Sequence, residues 1–121
     1  MSEFRSIFEA YGGDYQATMA RFVNKEDMYL RFLDMLFQDD NMHKLGESLE
    51  ANDMKSAFEA AHTLKGVVGN MGLAPLFSAV CTIVEPLRAG EARSDYMEMY
   101  QVIQEEFEKA DDLRNRLKKG E

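Results

Sequence analysis

His62, Lys65, Gly66 and Gly69 stand at the spacing i, i+3, i+4, i+7. A helix turns about 100° per residue, so these four would share one face. That face would carry a nucleophile, a cation and two positions without a side chain. An imidazole titrates near neutral pH, so its neutral form is available to attack phosphorus. Phosphorylation on nitrogen gives a high-energy phosphoramidate that can pass its group onward. Lys65 would balance the negative charge such a group brings. Lys55, two turns back, projects to the same side. Each glycine inside a helix costs about 1 kcal/mol relative to alanine, so Gly66 and Gly69 need a reason. One reason is close packing against another helix. The other is access for something large, and their place on the histidine face favours access. There is no Gly-x-x-x-x-Gly-Lys-Ser/Thr loop and no kinase signature. Any phosphoryl group would therefore have to come from another protein.

The element that positions these residues has a second, apolar stripe of Met54, Ala57, Ala61, Leu64, Val68 and Met71. Helical apolar spacing recurs along almost the whole chain and strand-like alternation is absent, so the expected class is all-α. The spacing predicts helices near 2–11, 14–22, 25–38, 40–51, 53–71, 74–89 and 94–117. Asp14, Asn24, Asp53 and Ser94 suit N-caps. Gly12-Gly13, Gly72 and Gly90 suit helix ends, and Pro75 falls in a first turn, where a missing N–H costs little. The tail from Lys118 should fray. Short connections favour antiparallel neighbours and hence an up-down four-helix bundle. Its expected members are 25–38, 53–71, 74–89 and 94–117, with 40–51 feeding the second. The 25–38 stripe is broad, which places that helix centrally. One domain is expected over 1–121, with a bundle core at about 24–117 and accessory helices over 1–22.

Composition narrows the function. With 121 residues and 45% hydrophobic content, the chain can build one ordinary core. Its formal net charge of −8 argues against nucleic acid, whose phosphates it would repel. No stretch suits a membrane span or a secretory signal. The single cysteine, Cys81, cannot form an internal disulfide, which fits a reducing cytoplasm. Other chemistry-bearing residues have plainer readings. His43 suits a surface position, Cys81 a small core filler, and the methionines core packing. The acidic pairs Asp39-Asp40, Glu105-Glu106 and Asp111-Asp112 suit caps and solvated faces. A di-metal bundle would need two Glu-x-x-His pairs. Glu59 with His62 supplies one, and the second is missing.

The run Ala61-His62-Thr63-Leu64-Lys65-Gly66, followed by Gly69-Asn70-Met71-Gly72-Leu73, resembles the histidine-containing phosphotransfer (HPt) domains of bacterial phosphorelays. Residues 21–30 resemble the family's approach to its first bundle helix, and Leu87-Arg88-Ala89-Gly90 the end of its third. The likeness covers roughly 11–110. It implies that His62 is the phosphoacceptor through Nε2, that Lys65 steadies the phosphoryl group and that Gly66 leaves room for a receiver domain. Lys55, Phe58 and Gly69 would belong to the docking surface, although Phe58 also suits ordinary core. The receiver would bring the aspartyl phosphate and a divalent metal, so this chain would need no cofactor or metal of its own. Response-regulator receivers, and a hybrid sensor histidine kinase upstream, are the implied partners of a monomeric phosphocarrier that is not itself an enzyme. One position departs from the family. Many members carry Gln or Glu 22 positions after the histidine to orient the imidazole, and here that position is Val84. Glu85 or a water would have to take that role, or nothing does. A non-phosphorylated module that docks receivers or kinases is the alternative, and the intact His62-Lys65-Gly66 set argues against it. The methionine start and charged end suit a whole protein, although one domain of a larger hybrid kinase would look the same.

Overall fold

A computed structural model describes residues 3–120. Seven helices occupy them: α1 (Glu3–Tyr11), α2 (Tyr15–Ala20), α3 (Glu26–Gln38), α4 (Asn41–Glu50), α5 (Met54–Asn70), α6 (Ala74–Ala89) and α7 (Tyr96–Lys119). The predicted helix start at Ser2 lies outside the described residues. No strand occurs among them, so the chain is all-α, as its apolar periodicity requires. None of these helices is long and apolar enough to cross a membrane.

Two of the predicted caps hold. Asp14 Oδ1 accepts from the Ala17 amide at 3.1 Å, which opens α2. Asp53 Oδ1 accepts from the Ser56 amide at 3.1 Å, and its Oδ2 accepts from Ser56 Oγ at 2.8 Å. These bonds satisfy donors that the first turn of α5 leaves open. Two caps fail for visible reasons. Asn24 does not cap α3. It sits at φ 57° directly after Val23 at φ 55°, and Lys25 holds the cap position without a side-chain bond. The reversal lets the Asn24 amide donate to Met19 O at 2.9 Å and turns Phe22 inward. At α7 the cap position falls to Asp95 rather than Ser94, and it makes no side-chain cap bond. Arg93 engages both of its carboxylate oxygens, at 2.9 and 2.8 Å. The expected fraying at Lys118 is also overturned: α7 runs to Lys119, with Leu117 buried and Lys118 Nζ 2.6 Å from Asp34.

Helix α4 packs on α5, α5 on α6, α6 on α7, and α7 back on α4. These four close the bundle, and their short connections make sequential neighbours antiparallel. The ring therefore contains α4, where apolar breadth had pointed to α3. Helix α3 packs on α7 at the side and leaves Phe32 and Met35 exposed. Its broad stripe serves two contacts instead of a central position. Leu33 and Leu36 are buried, and Tyr29 meets an aromatic cluster. That ring is fully buried, with the edges of Phe4, Phe8 and Phe22 at centroid distances of 6.0, 5.6 and 5.2 Å. Its hydroxyl donates to Met71 O at 2.7 Å. The N-terminal helices are thereby fixed to the end of α5, where Gly72 (φ 69°) turns the chain into α6 with the Thr18 side chain against it.

Candidate functional site

Helix α5 buries Ala57, Ala60, Ala61, Leu64 and Val68. Small residues on that face let α4 and α6 approach closely, and the opposite face is left to solvent. His62 and Gly66 are exposed there, with Lys65 and Gly69 half-buried. These four border one shallow, open depression of about 450 Å³, together with Arg21, Asn70 and Phe77. The i, i+3, i+4, i+7 stripe is therefore a single surface, and no carboxylate lines it.

The two glycines have different reasons. A Cβ on Gly66 would meet nothing within 4 Å. The bare backbone one turn after His62 is open space, with no neighbouring helix to explain it. A Cβ on Gly69 would lie 3.0 Å from Phe77 Cε1 and 3.1 Å from Cδ1. Close contact with α6 accounts for Gly69, so access is not needed to explain it, even though it borders the depression.

His62 makes no hydrogen bond within the chain among the described residues; its ring contact is with Phe58, stacked at a centroid distance of 5.4 Å and an angle of 21°. Phe58 is half-buried and also packs on the core, so the core and surface readings of this residue both apply. The guanidinium of Arg88 on α6 lies over the same ring, 5.1 Å from its centroid, and Arg88 Nε is 3.4 Å from Glu85. Val84 is fully buried, in keeping with its apolar register. Glu85 is thus turned to Arg88 and makes no hydrogen bond to His62. Lys55 is exposed on the same helix side, two turns toward the N-terminus, and does not border the depression.

The residue that sequence reasoning missed is Arg21. Its Nη1 donates to Gly69 O at 3.2 Å and to Asn70 O at 3.0 Å. These carbonyls belong to the last turn of α5, at the negative end of the helix dipole, and Gly69 O also accepts from the Gly72 amide at 3.1 Å. No local signal marks a contact that spans 48 positions. The remaining candidates stay apart. His43 is exposed on α4, 2.8 Å from Glu47, and Cys81 is a free, half-buried thiol. Among the described residues, no three His, Cys, Asp or Glu side chains are grouped to hold a metal.

A helical bundle that presents one solvent-facing histidine from its second helix, beside a lysine and a bare glycine, defines a class of phosphoryl-carrying modules. The sequence comparison agrees: the model of the Hpt domain family matches residues 27–115, well over half of the chain. The chain belongs to the Hpt domain family, whose members serve histidine phosphotransfer in two-component phosphorelays as carriers that engage receiver domains and histidine kinases. No curated protein and no solved structure matches the chain.

Proposed function

We propose that this protein accepts a phosphoryl group on His62 from the aspartyl phosphate of one receiver domain and passes it to another. The observation that carries this reading is the depression on α5, where an exposed imidazole, Lys65 and the open backbone of Gly66 meet within the family-matched span. The Nε2 lone pair attacks phosphorus. The bond from phosphorus to the aspartyl oxygen breaks, and the aspartate leaves as a carboxylate. The proton on Nδ1 passes to water, because no side chain of the described residues bonds to the ring. Lys65 neutralises charge on the transferring oxygens. Phe58 holds the plane of the ring, and Gly66 lets the partner's backbone come close. Lys55, Phe58 and Gly69 extend the docking surface. The divalent metal is the receiver's, and this chain supplies no cofactor. The bundle over about 24–117 is the carrier and the N-terminal helices are accessory to it. In this reading the protein acts in the cytoplasm and as a monomer.

The test is incubation with a panel of isotopically phosphorylated receivers. Wild type should acquire an acid-labile, base-stable label, and His62→Gln should acquire none. Equal labelling of both, or none on either with every receiver, would overturn the proposal.

A further inference from the structure

The phosphocarrier reading leaves the N-terminal helices without a task. They precede the family-matched span, which begins at residue 27, yet they bring a guanidinium to the rim of the His62 depression. Arg21 sits at the end of α2 and is exposed. One of its nitrogens is fixed by the Gly69 and Asn70 carbonyls. The others make no bond within the chain among the described residues, so the cation is oriented and still has donors to offer.

The turn after it is a costly one. Val23 and Asn24 are both left-handed, a conformation that a β-branched residue rarely adopts. It is held by burial of Phe22 against Tyr29 and by the Asn24 and Lys25 amides, which donate to Met19 O and Phe22 O. Arg21 is thus placed by a well-determined backbone, not by a loose arm.

Charge says what would bind there. The chain carries a net −8, yet the charged residues that line the depression are Lys65 and Arg21, and no carboxylate lines it; Lys55 is exposed two turns back, and Arg88, over Phe58, is paired with Glu85. Gly69 lies two helical turns beyond His62, so Arg21 stands roughly 10 Å along the axis from the imidazole. At that distance it cannot touch the transferring phosphoryl group, but it can touch whatever surrounds it. An aspartyl-phosphate site that also binds a divalent cation is rich in oxygen ligands, with one or two carboxylates beside the phosphate, and so carries negative charge at its rim.

We propose that Arg21 is a docking residue that engages the acidic rim of the partner's aspartyl-phosphate site, and that the accessory helices serve to hold it there. This rests on the phosphocarrier reading, and the experiment separates the two. Transfer from a phosphorylated receiver is measured over a range of receiver concentrations for wild type, Arg21→Ala, Arg21→Glu and Arg21→Lys. Each protein is also labelled with phosphoramidate, a small donor whose P–N bond breaks as His62 attacks, releasing ammonia. Thermal melts monitor the fold.

The half-saturating receiver concentration should rise roughly threefold for Arg21→Ala and tenfold or more for Arg21→Glu, with Arg21→Lys close to wild type. The dependence on salt should weaken in Arg21→Ala. Any change in phosphoramidate labelling should be several times smaller than the change with the receiver. An unchanged half-saturation in Arg21→Glu, or equal losses with both donors, overturns the docking role while leaving the carrier intact. Failure of every receiver to label wild type overturns both.

Discussion

Replacing Gly66 with alanine should make this protein more stable and less functional. The residue lies inside α5, and an added Cβ would have no neighbour within 4 Å. The methyl therefore meets no steric cost, while the helix loses the entropic penalty of glycine. The gain is about 0.5–1 kcal/mol, or roughly 2–5 °C in Tm for a domain of this size. Gly69→Ala is the internal control. Its Cβ would press on the Phe77 ring at 3.0 Å, so its gain should be smaller or reversed. Function should move the other way. The new methyl stands one turn from His62 on the face a receiver must approach. Displacing the partner's phosphorus by about 1 Å from in-line geometry can cost on the order of 100-fold. Phosphotransfer from a receiver should fall by roughly 10- to 100-fold, with a much smaller change for phosphoramidate. Melting curves and the two labelling rates, measured on the same preparations, decide it. A lower Tm would refute the open-space reading of Gly66, and a higher Tm with unchanged receiver transfer would refute the access reading.

Three further outcomes are expected. Phe58→Ala should remove the ring-current shift of the His62 ring protons in NMR and slow transfer roughly two- to tenfold, in line with the worth of a stacked aromatic pair; Phe58→Tyr should keep both, and unaltered His62 shifts in the alanine variant would rule out the stack in solution. Tyr29→Phe leaves the Met71 carbonyl without its 2.7 Å bond and should cost about 1–2 kcal/mol in urea denaturation at an unchanged m-value, whereas wild-type stability would show that the bond contributes nothing. Asp34 is held below its ordinary value near 3.8, chiefly by its hydrogen bond to Lys118 and then by that to Arg114. A depressed carboxyl stabilises the fold above the unfolded value, and the gain is lost as pH falls through the lower folded value. Asp34→Asn should therefore be less stable than wild type at pH 7, by at most about 1 kcal/mol, with the gap closing as pH falls below about 3.8. A gap of constant size down to pH 2 would contradict the assignment.

Local periodicity was enough to read the helices. Asp14, Asp53, Gly72 and Gly90 mark their ends because caps and left-handed turns are chosen by the residue and its immediate neighbours. The His62–Gly69 stripe was legible for the same reason, since it lies within one helix. What escaped is non-local. The breadth of the α3 stripe reflects the aromatic cluster around Tyr29 and the contact with α7, which no window of α3 residues can distinguish from a central place in the bundle. Asn24 has the composition of a cap, but the need to bury Phe22 sends it left-handed. Lys118 looks like tail until Asp34 is brought beside it. Gly66 and Gly69 are alike in sequence and separate only when Phe77 is found against one of them. Arg21 reaches the site because the N-terminal helices pack back on the bundle and bring it to the Gly69 and Asn70 carbonyls at the end of α5.

The central claim is that His62 carries a transferable phosphoryl group on Nε2. The most direct measurement is a pulse and chase. The protein is labelled by a phosphorylated receiver, the modified atom is identified by 31P and 15N NMR, and a second, unphosphorylated receiver is then added. A single phosphoryl group on His62 Nε2 that leaves for the second receiver's aspartate is the expected result. Label on any other residue, or label on His62 that no receiver can remove, would contradict the claim.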